Sequence, residues 1–289
     1  MSSREKSVAP EYRGRLAPSP TGFLHLGHAR TFWVAQQRAQ AKHGTLVLRN
    51  EDLDRARCRA EFVEAMLEDL SWVGLEWDEG PDIGGAHGPY NQNERTSHYL
   101  AAFEALRATG MIYPCKCSRK EVARALSAPQ GGDDEPIYPG TCRERASLAA
   151  TTPRAGVNWR FHVPDTRRVA FLDTGFGAQS FTAGTDFGDF LVWRKDDQPS
   201  YQLAVVVDDA AMRISEVVRG ADLLLSTARQ LLLYEALHLT PPSFHHCFLI
   251  TDKRGIRLAK RDDSLALRKL RADGRLPEEL RAEEVRSKK

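Results

Sequence analysis

The stretch whose reading decides the fold is Arg15-Leu16-Ala17-Pro18-Ser19-Pro20-Thr21-Gly22-Phe23-Leu24-His25-Leu26-Gly27-His28. It begins as an extended run, breaks at prolines and a glycine, and opens into a helix. The spacing of Phe32, Ala35 and Ala39 puts them near one face and predicts a helix over 28–43, with Gly44 as its stop. A strand, a Pro/Gly turn and a helix start bring unbonded N–H groups and a positive dipole end to one point, which is an anion site. His25 and His28 flank Gly27. Imidazoles donate to phosphate oxygens at neutral pH. A residue without Cβ lets a base or ribose lie against the backbone. The stretch therefore reads as a nucleotide cradle, distinct from the dinucleotide G-x-G-x-x-G pattern. Alone, an H-x-G-H tetrad also fits two loop histidines of no special role; the P-S-P-T-G run, which fixes the loop shape, favours the cradle.

Working outward, Leu46 to Leu48 is a short strand that runs into Arg49-Asn50-Glu51-Asp52-Leu53-Asp54. Acids at the carboxyl end of a parallel strand lie where ligands bind; the plainer reading is a solvated strand end with capping acids. Phe62, Val63, Met66, Leu67, Leu70 and Val73 predict an amphipathic helix over 61–73. A Gly/Pro/Asn-rich loop covers 80–93, and another helix is expected over 94–108. This alternation predicts an α/β chain built on a Rossmann-like parallel sheet. Tyr201-Gln202-Leu203-Ala204-Val205-Val206-Val207-Asp208-Asp209 reads as a buried strand ending in acids, a second pass through that sheet. A helix near 226–238 follows.

Between the two passes the texture changes. Cys115-Lys116-Cys117 is followed by Ser118 and Glu121 at capping-box spacing, a polar Gly-rich loop over 129–136, and Tyr138-Pro139-Gly140-Thr141-Cys142. Three cysteines so spaced suggest a metal knuckle, because thiolates bind zinc tetrahedrally and a structural site wants four ligands. His162 is a conceivable fourth and Tyr138 a nearer one. Three reduced, unliganded cysteines fit the spacing equally well. Short strands are expected within 157–195. The division that follows is a tail over 1–11, a nucleotide-binding first half over 12–110, an inserted zinc-bearing lobe over 111–195, a second half over 196–250, and a loop with a short carboxyl-terminal segment over 251–289. Lys253-Arg254-Gly255-Ile256-Arg257-Leu258-Ala259-Lys260-Arg261 gathers basic side chains on a Gly-containing loop, which suits a triphosphate and equally suits a solvated turn.

Composition excludes the unusual classes. The 289 residues are 42% hydrophobic and 28% charged, with net charge 41 − 39 = +2, an ordinary globular balance that does not by itself argue for nucleic acid. No run of eighteen apolar residues exists, and residues 1–10 lack the apolar core of a signal peptide. Five cysteines, an odd count, point to a reducing compartment, and a cytoplasmic protein without a membrane partner is expected.

In chain order, P-S-P-T-G with H-L-G-H, N-E-D-L-D, Y-Q-L-A-V-V-V-D-D, V-R-G-A-D and R-L-A-K resemble the catalytic domain of glutamyl-type class I aminoacyl-tRNA synthetases, over about residues 12 to 265. The resemblance implies that His25, Gly27 and His28 belong to the first ATP signature. It makes Leu258 and Lys260 part of the second, mobile one, with Lys260 as its phosphate-contacting lysine. Ala259 stands where the family usually has serine, so one hydroxyl contact is lost. Arg15, Ala17, Pro18 and Ser19 match the glutamate-binding run, Glu51 the acid that takes the substrate ammonium, and Tyr201 and Arg219 the residues that complete the pocket. Guanidinium forks suit an amino acid with two carboxylates.

The short carboxyl-terminal part, 29 residues after Lys260 (289 − 260), and the Cys-x-Cys…Tyr-x-x-x-Cys knuckle resemble the glutamyl-queuosine tRNA(Asp) synthetase family. That resemblance implies Zn2+ on Cys115, Cys117, Tyr138 and Cys142, Mg2+ with ATP, and a monomer that activates L-glutamate and esterifies queuosine in tRNA(Asp). The rivals are a truncated glutamyl-tRNA synthetase charging the 3′ end, a nucleotidyltransferase with an H-x-G-H site, and a non-enzymatic zinc-bearing RNA-binding protein.

Overall fold

The computed structural model describes residues 11–118, 121, 137–249 and 265–287. Strand β1 (Arg13–Leu16) pairs in parallel with β2 (Thr45–Leu48), Arg15 opposite Val47. Between them runs α1 (Leu26–Ala41), which buries Phe32, Ala35 and Ala39 as its spacing requires. The helix starts two residues before the expected 28–43, because His25 caps it with its own side chain. It ends short of Gly44, where a Cβ would collide with the Tyr12 carbonyl. Helices α2 (Ala60–Trp72) and α3 (Thr96–Ala108) follow closely on their expected spans. The Trp33 indole donates to the Val73 carbonyl at 3.0 Å, tying α1 to the end of α2.

The middle of the chain is mostly strand. β3 (Ile112–Cys115), β4 (Asn158–Phe161) and β7 (Phe190–Trp193) form an antiparallel sheet in the order β3-β4-β7. β5 (Arg168–Asp173) and β6 (Gly177–Thr182) form a hairpin. That hairpin joins a second sheet, ordered β6-β5-β9-β8, through a parallel pairing at Asp173 and Phe244. β8 (Glu216–Gly220) and β9 (Ser243–Cys247) are its parallel pair.

One expectation is corrected and one is met in part. The segment 201–209 is not a strand; it lies in helix α4 (Tyr201–Ala211), capped by the Ser200 hydroxyl accepting from the Leu203 N–H at 3.3 Å. Leu203 through Asp209 are all buried. A helix enclosed on every side shows no amphipathic period, so its sequence is indistinguishable from a buried strand. The Rossmann-like parallel sheet is met in part: the parallel pairs β1-β2 and β8-β9 lie in separate ladders, joined where the Ser215 N–H donates to the Arg13 carbonyl at 2.9 Å, the Arg13 N–H to Ser215 Oγ at 2.8 Å and Arg15 Nη1 to the Val218 carbonyl at 2.8 Å. The architecture is α/β with mixed sheets. Helix α5 (Leu224–Ala236) packs on α4 and β5, and two short helices, α6 (Leu267–Ala272) and α7 (Pro277–Ser287), close the chain. None of the described helices is long and apolar enough to cross a membrane.

Candidate active site and metal centre

A cavity of about 390 Å³ opens where β1, α1, the exit of β2, the start of α4 and the end of β8 converge. Arg15, Ala17, Pro18, Ser19, His25, Gly27, His28, Glu51, Tyr201 and Arg219 all line it. Leu258 and Lys260, the expected second ATP signature, lie outside the described residues. The sequence reading missed Thr31, Asp222 and Phe248 as lining residues. Phe248 is 77% exposed and packs 4.6 Å from Phe176, centroid to centroid.

At the helix end the two histidines cap one another. His25 Nδ1 accepts from the Gly27 N–H at 3.1 Å, and His28 Nδ1 from the His25 N–H at 3.2 Å, with the rings 3.9 Å apart. The first-turn N–H of Gly27 is therefore used inside the protein, where the sequence suggested an open donor. With Nδ1 accepting, each neutral ring carries its proton on Nε2.

The floor is charged and buried. Arg49 is fully buried; its Nη1 donates to Asp209 Oδ1 at 2.6 Å and its Nη2 to Glu51 Oε1 at 3.0 Å. Asp208, beside Asp209 on α4, accepts from Arg95 Nε at 2.6 Å, Gln92 Nε2 at 2.8 Å and the Tyr99 hydroxyl at 2.9 Å. Arg15 Nε lies 3.5 Å from Asp209 Oδ1 without making a hydrogen bond. Arg219 Nη1 is buried with no hydrogen-bond partner among the described residues. Burial raises the Glu51 carboxyl above its ordinary value, against the pull of Arg49 and Arg15. The site thus holds guanidinium donors in want of an acceptor beside the cavity-lining carboxylate of Glu51, with Asp222 a second acid on the lining. Buried donors of this kind are costly until a ligand satisfies them.

A second cluster lies at the end of β3. Cys115, Cys117 and Cys142 place their Sγ atoms within 4.8 Å of one another, with Cys117 and Cys142 at 3.6 Å. The Tyr138 hydroxyl lies 3.4 Å from both Cys115 and Cys117 Sγ. Tetrahedral zinc–thiolate bonds of about 2.3 Å put ligand sulfurs about 3.8 Å apart, so the donor set fits a closed structural site. Burial raises the Cys117 thiol to about 11 and raises the Tyr138 phenol, whereas the Cys142 thiol is lowered, burial there being outweighed by its hydrogen bonds; a bound cation would displace the remaining protons. Arg160 Nε donates to Cys115 Sγ at 3.4 Å, and its guanidinium lies 3.9 Å over the Tyr138 ring, offsetting the negative charge that a loaded knuckle would carry. His162 is exposed and outside the cluster. The capping bonds of Ser118 and Glu121 are both present.

Comparison with known proteins agrees with this geometry. The description tRNA synthetases class I (E and Q), catalytic domain, matches residues 11–286. The chain belongs to that family. Membership makes it an enzyme of the aminoacyl-tRNA synthetase type. A Glutamyl-Q tRNA(Asp) synthetase of Symbiobacterium thermophilum is 48% identical over 271 residues, covering 92% of this chain and 83% of the relative. One of Nitratidesulfovibrio vulgaris is 46% identical over 269 residues, covering 91% and 82%. Among solved structures, a glutamate-tRNA synthetase from Elizabethkingia anophelis superposes with TM-score 0.76 at 32% identity. The match takes in 88% of this chain, which spans about half, 53%, of that protein.

Proposed function

We propose that the enzyme activates L-glutamate with ATP and transfers the glutamyl group to queuosine in tRNA(Asp). The observation that carries the amino-acid half is a pair of buried guanidinium nitrogens without a hydrogen-bond partner among the described residues, Arg15 Nε and Arg219 Nη1, on two residues that line the cavity together with Glu51. Glutamate brings two carboxylates and one ammonium, a net −1. Arg15 and Arg219 would take its carboxylates and Glu51 its ammonium, while Tyr201 walls the side-chain end and Ala17, Pro18 and Ser19 shape the backbone edge. The α-carboxylate then attacks the α-phosphorus of ATP in line, and pyrophosphate leaves. Positioning and charge stabilisation drive such a step. His25 and His28, with Gly27 and Leu258 against the nucleotide, and Lys260 would meet the phosphates, whose remaining charge Mg2+ arriving with ATP would offset. β1, β2, β8 and β9 would serve as the Rossmann-like nucleotide layer.

Zn2+ on Cys115, Cys117, Tyr138 and Cys142 would be structural, since four protein donors leave no open position. The queuosine half rests on the 48% and 46% identity to relatives of that name. A hydroxyl of the unstacked modified base would attack the adenylate. The test is transfer of labelled glutamate to tRNA(Asp) with and without queuosine, and with the 3′-terminal adenosine removed. Labelling that needs queuosine and survives loss of the adenosine is expected. Labelling that follows tRNA(Glu) and vanishes with the adenosine would replace this reading with 3′-end charging.

A further inference from the structure

β9 carries adjacent histidines, and only His246 is fully buried. It meets an acid from another part of the chain: Asp173, which closes β5 and is 1% exposed, places Oδ2 2.6 Å from His246 Nδ1. Asp173 Oδ1 accepts from the N–H groups of Gly175 and Phe176 at 2.9 and 2.8 Å. The turn there is pressed onto β9; a Cβ at Gly175 would collide with the His246 carbonyl.

With Nδ1–H given to Asp173, the neutral ring presents Nε2 as an acceptor. Arg219 Nε lies 3.2 Å from it. Arg219 Nη2 donates to Thr227 Oγ1 at 2.7 Å, and that hydroxyl, itself 3.3 Å from His246 Nε2, donates to the Leu223 carbonyl at 3.2 Å. Nε2 is thus left to accept from Arg219. Two of the three guanidinium nitrogens are held from behind, and Nη1 is the buried one without a partner among the described residues. Burial and the neighbouring Arg219 lower the His246 pKa, which keeps the ring neutral and accepting.

We propose that Asp173 and His246 are positioning residues: the acid fixes the histidine tautomer, and the histidine aims Arg219 at a substrate carboxylate. This rests on the reading of the cavity as a glutamate site. It adds that a residue of the β5–β6 hairpin, far in sequence from every pocket motif, sets amino-acid affinity. The logic is that of an acid that orients a catalytic imidazole by tautomer choice, turned here toward a binding arginine.

Asp173→Asn separates this role from simple packing. The two turn N–H groups need an oxygen at the Oδ1 position, so the amide NH2 must face His246 Nδ1. The ring then moves its proton to Nε2 and meets the Arg219 N–H donor to donor. The expected result in ATP–pyrophosphate exchange, run with and without tRNA, is a glutamate KM raised about tenfold to a hundredfold, the scale of one lost hydrogen bond to a charged group. The kcat and the KM for ATP should stay within about threefold of wild type. His246→Phe, which keeps a flat aromatic ring at slightly larger volume and removes both nitrogens, should behave alike, and calorimetric titration with glutamate should show the same loss. A wild-type glutamate KM in both variants overturns the proposal. So does a parallel loss of kcat and both KM values, or an unfolded Asp173→Asn protein, since each marks a merely structural pair. Wild-type enzyme showing no glutamate-dependent exchange overturns the glutamate reading itself and is seen before any variant is made.

Discussion

Arg49 Nη2 donates to Glu51 Oε1 at 3.0 Å, so this cavity-lining carboxylate is held from two residues upstream by a guanidinium that does not line the cavity. The same guanidinium reaches Asp209 on α4 at 2.6 Å. One buried side chain therefore fixes the exit of β2 against the end of a helix 160 residues later.

Replacing Arg49 with Leu should destabilise the protein by about 3–5 kcal/mol, because it strands Asp209 and Glu51 as buried, uncompensated charges. Urea unfolding measures this. A midpoint like the wild type's would show that the acids find other partners or protons at no cost.

Glu51→Gln keeps the shape of the pocket and removes the carboxylate assigned to the substrate ammonium, leaving Asp222 in place. The glutamate KM should rise about tenfold to a hundredfold with the KM for ATP unchanged, the scale of a lost charge-assisted hydrogen bond. Exchange kinetics at varied glutamate concentration decide it, and an equal loss for both substrates would move Glu51 out of the amino-acid site.

Asp69, on the buried side of α2, has an Oδ2 without a hydrogen-bond partner, and burial pushes its carboxyl from 3.8 up to about 6. A raised carboxylate pKa favours folding in the protonated form. That advantage is complete below about pH 4, falls as pH rises toward 6, and is absent above it. Asp69→Asn should therefore be more stable than wild type at pH 7.5 by about 1–3 kcal/mol, and the difference should vanish near pH 4. Thermal melts of both proteins across pH 4–8 test it; a constant difference would remove ionisation as the cause.

Purified enzyme should carry one Zn2+ per chain. Chelation should free three titratable thiols and raise amide exchange around residues 115–117 and 138–142. Elemental analysis without zinc, or thiols that titrate fully before chelation, would reduce the knuckle to packed cysteines.

The turn from β1 into α1 was legible in the sequence because prolines, glycine and apolar spacing all act locally. The cysteine cluster was half legible: three thiols close in sequence fitted a knuckle or unliganded cysteines equally, and the fold brings their sulfurs within 4.8 Å of one another. Helix α4 was misread because Val205, Val206 and Val207 are buried on every side, and a continuous apolar run carries no period. Strands β8 and β9 were unmarked as strands because buried polar groups, Glu216, Arg219 and His246, occupy their inward positions. Such residues look like surface until their partners, Arg38 and Asp173, arrive from distant segments. Arg49 hid likewise among acids that sequence alone assigns to a solvated strand end.

Asp189 gathers the lobe around the knuckle. It accepts from the Tyr113 hydroxyl at 2.5 Å, Arg143 at 2.8 and 2.9 Å, and the Val163 N–H at 2.9 Å, while its carbonyl takes Arg160 at 3.0 Å. None of these bonds passes through sulfur. The lobe is riveted twice, once by an acid and once by thiols, and the acid rivet holds whatever the redox or metal supply of the cell. Metal starvation would loosen the rim at Cys117 and leave the frame standing, so the site would refill on resupply without passage through the unfolded chain.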